Sequence, residues 1–213
     1  MMIWNKLLKE KKWHKFFEDP HPIVIPFAEK LNNNGKKSVV DIGCGIGRHC
    51  HLLKEYGFNV YGCDSSTFGV SFTKKRLGDK LSENIVETDM TELPWSNGCF
   101  DIGICINVIY HGTYENGFDC LFEIKRVLKK GAPLLLTFLS SKDPEYGNGN
   151  LIEPNTFVFA EGYEKGVIHH FYTKSEISSI ATLFDNCSYY EKTFVRGPEA
   201  EEGIYWVLEG TKP

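Results

Sequence analysis

The sequence lacks a hydrophobic run long enough to cross a membrane. A spanning helix needs about 20 consecutive apolar residues, and no stretch of the 213-residue chain approaches that length. The first residues, MMIWNKLLKEKKWHKFF, also lack the continuous apolar core and the small-residue cleavage site of a secretory signal. We therefore expect no secretory signal, no membrane partner and a cytoplasmic location.

Paired cysteines and an excess of basic charge are lacking too. The chain has seven cysteines, but no two of them form a Cys-x-x-Cys pair. This usage predicts reduced, buried thiols rather than a disulfide framework. With 24 Lys and Arg against 28 Asp and Glu, the formal net charge is −4. Because this balance argues against bulk electrostatic binding, we expect no nucleic-acid partner.

What the sequence does contain is an alternation of apolar, strand-like runs with helical patterns. Such alternation predicts an α/β fold with a parallel sheet and helices on both faces. The near-continuous apolar runs DIGICINVI and PLLLTFL fit strands that are covered on both sides. The predicted strands are Ser38–Ile42, Asn59–Cys63, Asn84–Glu87, Phe100–Asn107, Pro133–Leu139, Cys187–Val195 and Ile204–Glu209.

Helix boundaries can be predicted between these strands. Apolar residues of the segment 49–56 repeat at helical spacing, and Gly57 follows as a C-terminal stop. Near the other end of the chain, Thr173 and Glu176 have the spacing of a capping box. That pair predicts a helix that starts after Thr173 and runs through Phe184.

Residues 1–34 lie outside the alternation and predict an N-terminal helical extension. Two clusters, in 4–8 and 13–17, carry aromatic and apolar side chains. At about 100° per residue they would point to roughly opposite sides of one continuous helix. We therefore expect either a break between the clusters or a helix packed between two surfaces. The extension would pack on the sheet or form a lid over the active site.

The segment 140–170 is glycine-rich and has few helical or strand signals. A segment of this length without regular structure is usually functional in a compact domain. It follows the fifth predicted strand, so it would emerge at the carboxyl edge of the sheet, where open α/β proteins bind ligands. We expect an active-site loop or insertion here, within a single domain that covers residues 35–213.

A glycine-rich turn follows the first predicted strand. After Asp41, the residues Gly43, Gly45 and Gly47 give the pattern Gly-x-Gly-x-Gly. A dinucleotide fingerprint would need a glycine where Arg48 stands, and no Gly-Lys-Ser/Thr follows to make a P-loop. We expect Arg48 on the surface of the following helix. Glycines allow a tight turn and a close approach of a ligand to the backbone.

The stretch VVDIGCGIGR resembles the first motif of the class I S-adenosylmethionine-dependent methyltransferases. Further similar stretches follow in order: NVYGCDSS, ETDMTELPW, CFDIGICINVIYHG and RVLKKGAPLLLTF. Together they cover roughly residues 36–140. The resemblance implies a Rossmann-like, doubly wound, mostly parallel seven-stranded sheet whose last strand is antiparallel. It also implies S-adenosylmethionine as the cofactor and methyl transfer as the activity.

The resemblance also implies roles for single residues in cofactor binding. In the family, the acid at Asp64 accepts hydrogen bonds from the ribose hydroxyls. The acid at Asp89 faces the adenine amino group, and Met90 packs on the ring. Asn107 lies near the backbone that lines the methionine moiety. The cofactor set is completed by Asp41 and the three glycines of the turn, although each acid could instead serve as a turn or capping residue.

Candidates for a general base lie near the same edge of the sheet. Tyr110 and His111 follow the fourth predicted strand, and the pair His169 and His170 follows the long segment. A histidine with a near-neutral pKa can accept a proton from a hydroxyl or an amine. We predict Tyr110, His111 and His170 as catalytic candidates, with core packing as the alternative. No carboxylate has clear ligand spacing with the histidines, so we expect no metal.

The acceptor is expected to be a small molecule. The Asn/Asp-Pro-Pro-Tyr/Phe sequence of the amino-methylating enzymes of nucleic acids does not follow Asn107. The stretches GRHC and HHFYTKSEI are weakly similar to small bacterial methyltransferases of the tellurite-resistance kind. Three alternatives stay open. The first is methylation of a protein or RNA, which the lysines between Lys6 and Lys15 favour. The others are a non-catalytic cofactor-binding module and an NAD-dependent oxidoreductase.

Overall fold

The computed structural model describes residues 2–31 and 37–213. Its ten strands are β1 Ser38–Ile42, β2 Asn59–Asp64, β3 Ile85–Glu87, β4 Ile102–Cys105, β5 Pro133–Leu139, β6 Asn150–Glu153, β7 Thr156–Val158, β8 Ile168–His170, β9 Asp185–Arg196 and β10 Glu201–Thr211. Its eight helices are α1 Met2–Leu7, α2 Lys11–Phe16, α3 Val24–Leu31, α4 Arg48–Glu55, α5 Thr67–Leu77, α6 Asp79–Ser82, α7 Tyr114–Val127 and α8 Lys174–Ala181. None of the helices in these ranges is both long and apolar enough to cross a membrane.

The main sheet has seven strands in the order β3-β2-β1-β4-β5-β10-β9. The first five strands of the chain pair in parallel, and β10 runs antiparallel to both of its neighbours. Consecutive strand residues point to opposite faces, yet Leu134, Leu135 and Leu136 are all fully buried. Both faces are therefore covered, and the predicted Rossmann-like, doubly wound sheet with an antiparallel last strand is confirmed.

Some predicted boundaries differ from those in the structure for local reasons. Strand β4 is shorter than predicted because Phe100 makes only an isolated bridge and Asn107 turns to a φ of 60°. Strands β9 and β10 are longer than predicted because they pair with each other almost from end to end. The predicted capping box of Thr173 and Glu176 is present. Helix α8 ends at Ala181, three residues before the predicted end at Phe184.

The N-terminal extension is broken between its two apolar clusters. Helix α1 ends at Leu7 and α2 begins at Lys11, which decides between the two arrangements that the sequence left open. Asn5 ties α1 to α5, because its Oδ1 accepts hydrogen bonds from Ser66 Oγ at 2.8 Å and Phe68 N at 2.9 Å. The clusters contribute the buried residues Leu7, Leu8 and Trp13. Residues 1 and 32–34 of the predicted extension lie outside the described residues.

The segment 140–170 is not the structureless loop that its composition suggests. It contains a three-stranded antiparallel sheet in the order β6-β7-β8. The strands have only three or four residues each, which is too short for alternation to reveal them. Backbone hydrogen bonds from His170 N to Tyr110 O and from Ser141 N to Tyr172 O attach this small sheet to the main domain.

Candidate functional site

A deep cavity opens at the carboxyl ends of β1, β2 and β4, where open α/β sheets bind ligands. It encloses about 1250 Å³ of empty space, with its open mouth included. The glycine turn and the segments after β2, β3 and β4 line it. The N-terminal helices, the connection between β7 and β8, and the hairpin of β9 and β10 line it as well. Separate parts of the chain therefore enclose one site.

The glycine turn has the backbone conformation that its three glycines allow. Gly43, Gly45 and Gly47 have φ angles of 73°, 54° and 77°, in the left-handed region that disfavours other residues. The N–H groups of Gly43 and Cys44 both donate to Cys63 O at 2.8 Å. A Cβ on Gly43 would lie 2.2 Å from a methyl carbon of Val108. The turn is thus pressed against the segment after β4, with no room for a side chain.

Asp64 is held at the end of β2 by backbone donors. Its Oδ2 accepts a hydrogen bond from Gly45 N and its Oδ1 accepts one from Ser66 N, both at 2.8 Å. Burial raises the pKa of the Asp64 carboxyl, while these two N–H groups act in the opposite direction. A carboxylate oxygen can accept more than one hydrogen bond. The fixed carboxylate can therefore also accept bonds from the two hydroxyls of a ribose.

Asp41 lies behind the turn and not among the residues that line the cavity. Only 1% of its surface is exposed. Its Oδ2 accepts a hydrogen bond from Cys50 Sγ at 3.4 Å and lies 3.8 Å from His49 Nδ1. Burial, more than the nearby Arg48, lowers the pKa of His49, which favours a neutral imidazole there. The geometry fits support of the turn better than direct contact with a ligand.

The two remaining predicted cofactor segments both reach the cavity. Asp89 and Met90 line it after β3, and Asn107 lines it after β4. Asp89 Oδ1 accepts bonds from Thr91 N at 3.0 Å and Thr91 Oγ1 at 2.8 Å, so this acid has the turn role that the sequence left open. Asn107 N donates to Thr137 Oγ1 at 2.7 Å, which fixes its left-handed backbone. The structure thus brings these residues together with Asp64 and the turn.

Arg48 differs from its prediction. It is buried and lines the cavity instead of lying on the helix surface, because the segment that follows α2 folds over the start of α4. The guanidinium carbon lies 4.9 Å from the centre of the Phe17 ring, within the range of a cation–π contact. Burial lowers the pKa of Arg48 to about 10. The spacing of residues within α4 does not show that Phe17 covers Arg48.

Tyr110 and His111 reach the cavity as predicted, among other aromatic rings. The His111 ring lies 4.6 Å from Trp4 and 4.3 Å from Tyr110, measured between ring centres. Burial, followed by the nearby His169, lowers the pKa of His111 to about 3. Burial raises the pKa of Tyr110 well above its ordinary value. At neutral pH, His111 is therefore an uncharged imidazole and Tyr110 keeps its proton.

His170 does not join this group. It is absent from the cavity lining, and its Nδ1 lies 2.7 Å from Thr156 Oγ1. Its Nε2 lies 3.6 Å from Glu176 Oε1, at the capping box of α8. Burial would raise the pKa of Glu176, but His170 and the Thr173 hydrogen bonds lower it to about 2. The geometry supports a packing role for His170 and no role as a base in the cavity.

Glu164 is the site residue that sequence reasoning missed. It lines the cavity from the connection between β7 and β8, and its Oε2 lies 2.9 Å from His169 Nε2. Burial would raise the pKa of Glu164, but its hydrogen bond and charge interaction with His169 lower it. One side-chain donor atom from each of Glu164, His169 and His111 lies within 4.8 Å of the others. Only the small sheet brings this carboxylate to the histidines.

The fold and the glycine turn define a class I methyltransferase-like domain. Residues 40–136 match a family model described as a methyltransferase domain. The match covers the stretches from β1 to β5, which are those that resemble the S-adenosylmethionine-dependent methyltransferases.

Curated relatives match about half of the chain. Norajmaline N-methyltransferase of Rauvolfia serpentina is 32% identical over 120 residues, which is 53% of this chain and 40% of the relative. The tRNA U34 carboxymethyltransferase of Marinobacter nauticus is 31% identical over 122 residues, 55% of this chain and 36% of the relative. The chain thus matches less than half the length of either relative.

Solved structures extend the likeness to nearly the whole chain. An S-adenosylmethionine-dependent methyltransferase from Methanosarcina mazei has a TM-score of 0.72 at 19% identity and covers 91% of this chain and 98% of its own. TehB from Haemophilus influenzae has a TM-score of 0.65 at 16% identity, and the match covers 91% of this chain and 63% of TehB. A phosphoethanolamine N-methyltransferase from Haemonchus contortus, solved with S-adenosylmethionine, has a TM-score of 0.67 at 17% identity. The match covers 99% of this chain and 60% of that protein. At these identities the likeness shows the fold.

Replacing Gly43 with alanine tests the close approach of the turn. The new Cβ meets Val108 at 2.2 Å, so we expect overpacking to lower the free energy of unfolding by about 1–3 kcal/mol. We also expect the affinity for S-adenosylhomocysteine to fall at least tenfold. Gly131→Ala is the matched control, because Gly131 has nearly the same φ of 75° and open space around it. The control should lose only about 1–2 kcal/mol of stability from backbone strain. Equal ligand affinities of the two variants would contradict this account of the turn.

Asp64→Asn tests the carboxylate at the end of β2. Hydrogen bonds to a charged group contribute about 1.5–3 kcal/mol each, so we expect calorimetry to show a loss of about 10- to 100-fold in affinity for S-adenosylhomocysteine. The matched variant Asp119→Asn changes an exposed acid on α7 and should bind as the wild type does. Thermal unfolding of both variants reports whether the turn stays folded. Wild-type affinity in folded Asp64→Asn would exclude the ribose contact.

Proposed function

We propose that the protein is an S-adenosylmethionine-dependent methyltransferase that acts on a small-molecule acceptor. The observation that carries the proposal is the pairing of a glycine turn, in which Gly43 and Gly47 leave no room for a Cβ, with a carboxylate fixed by the backbone of the turn. Both lie at a single cavity that aromatic side chains also line. The turn and the carboxylate suit the cofactor, and the aromatic side chains suit an acceptor of limited size.

The cofactor half uses groups that the chain already holds in position. The backbone of Gly43–Gly47 would lie under the methionine moiety near Asn107, and Asp64 would accept bonds from the ribose hydroxyls. Asp89 would accept a bond from the adenine amino group through Oδ2, because the turn uses Oδ1. Met90 would cover the ring. When bound, the cofactor supplies a methyl group activated by its sulfonium charge, and the protein's task is to align an acceptor with it.

The acceptor half is enclosed by the N-terminal helices. Trp13 lies 4.8 Å from Tyr163 and 5.6 Å from Phe17 between ring centres, and Trp4 covers His111. Apolar walls with a few polar groups are typical of small-molecule pockets. We propose that the described part of residues 1–34 acts as a lid and that Tyr110 and His111 contact the acceptor.

We also propose that the protein is cytoplasmic. The free state of all seven cysteines supports that location.

A nucleic-acid acceptor is the second candidate. It is favoured by the tRNA-modifying relative and by the exposed lysines of α1 and α2, which lie on the segment that closes the cavity. One of these, Lys12, already forms an ion pair with Glu199 at 2.9 Å. The net charge of −4 opposes this candidate.

Transfer of a labelled methyl group separates the two candidates. Purified protein and methyl-labelled S-adenosylmethionine are incubated with the small-molecule fraction and with the RNA fraction of the same cell extract. We expect label in the small-molecule fraction, with little change between 50 and 200 mM salt and none with Asp64→Asn. Label confined to RNA, with a steep fall over that salt range, would favour the second candidate. No transfer to either fraction by protein that binds the cofactor would favour a non-catalytic module.

A further inference from the structure

Three metal-binding side chains meet in the acceptor half of the cavity. His111 comes from the turn after β4, Glu164 from the connection between β7 and β8, and His169 from β8. One donor atom from each lies within 4.8 Å of the other two. Among the His, Cys, Asp and Glu side chains of the described ranges, these three have ligand atoms that lie close enough to one another to hold one ion.

The distances approach those of a coordination shell. His169 Nε2 and Glu164 Oε2 are 2.9 Å apart, and two ligands at about 2.0–2.2 Å from one ion stand about 3 Å apart when roughly 90° separates them. The rings of His111 and His169 have centres 5.0 Å apart and planes at 84°. To complete the shell, His111 must move closer to the other two residues, because its ligand atom is placed only within 4.8 Å of theirs. The contact between His169 and Glu164 would then become one edge of it.

An unpaired nitrogen supports a ligand at this place. His111 Nε2 is buried and has no hydrogen-bond partner among the described residues. Buried polar atoms are nearly always paired, so an unpaired nitrogen in a residue grouped with Glu164 and His169 needs an explanation. His169 Nδ1 is also without a partner there. The neighbouring cation Arg196 forms ion pairs with Asp143 and Glu145, each at 3.1 Å.

We propose that His111, Glu164 and His169 form a binding site for a divalent transition-metal ion such as Zn²⁺. Two imidazoles and one carboxylate are the ligand set of catalytic zinc sites and of non-haem iron sites, which keep open positions for substrate. His111 and Glu164 line the cavity, whereas His169 lies behind them. The open side of the ion would therefore face the acceptor.

The site also indicates a class of acceptor, and this step rests on the proposed function. An ion with open positions takes an oxygen or sulfur donor and lowers the pKa of its O–H or S–H group. The acceptor's proton leaves to solvent, and its oxygen or sulfur uses the freed electron pair to bond the methyl carbon. The electron pair of the broken carbon–sulfur bond stays with S-adenosylhomocysteine. Hydroxyl and thiol acceptors are thus favoured.

Cobalt binding tests the site independently of methyl transfer. The full chain is dialysed against chelator and then titrated with Co²⁺, with calorimetry for stoichiometry and visible absorption for ligand type. We expect one ion per chain and no thiolate-to-cobalt charge-transfer band, which separates this site from the free cysteines. Glu164→Gln and His111→Ala should each weaken binding at least tenfold. The double variant His51→Ala, Glu55→Gln removes an exposed His–Glu pair at 3.5 Å and should bind as the wild type does.

The outcomes separate the metal site from the proposed function. Loss of Co²⁺ binding in the two site variants, with S-adenosylhomocysteine affinity and thermal stability retained, supports the site. Absence of stoichiometric binding to the wild type overturns it, as does binding that neither substitution weakens. Co²⁺ binding by a protein that fails to bind S-adenosylhomocysteine would leave the metal site standing and overturn the proposed function.

Discussion

The site depends on the attachment of the glycine turn to the end of β2. Two backbone N–H groups of the turn donate to Cys63 O, and a third, from Gly45, donates to Asp64. These bonds set the height of the turn above the sheet and aim the carboxylate at the same time. On its other side, Val108 leaves no space for a Cβ at Gly43. A cofactor that approaches this backbone therefore meets a rigid surface.

Two additions to the common sheet turn this edge into an enclosed cavity. The broken N-terminal helices contribute Trp4, Trp13 and Phe17, and the small sheet contributes Tyr163 and Glu164. Both additions are attached by a few specific contacts, such as those of Asn5 with the start of α5. Because function depends on such additions more than on the fold, differences in acceptor between relatives are expected to arise here.

The fold and the cofactor end could be predicted from the sequence because both rest on local patterns. Buried parallel strands give continuous apolar runs, and the turn needs glycines at fixed positions, so the sequence predicts β1 to β5 and the place of the turn after β1. The contacts of single residues with the cofactor stay predictions. The acceptor end could not be predicted in the same way. Glu164 reaches His111 only through three strands too short to show a period, and Arg48 is buried only because a distant segment folds over it.

The prediction of His170 as a base also shows that the acceptor part of the site could not be predicted from the sequence. Adjacent residues of a strand point to opposite faces, so β8 can direct only one of its two histidines towards Glu164. The sequence does not tell which one, whereas the pairing of β7 with β8 directs His169 to Glu164 and His170 to Thr156. Function was therefore easier to predict for the cofactor than for the acceptor.

A crystal structure of the protein with S-adenosylhomocysteine would test the central claim most directly. The account predicts the ligand in this cavity, with its ribose hydroxyls bonded to Asp64 and its amino-acid part over Gly43–Gly47. The sulfur should point towards Tyr110 and His111. A ligand bound elsewhere, or a ribose that makes no contact with Asp64, would contradict the account.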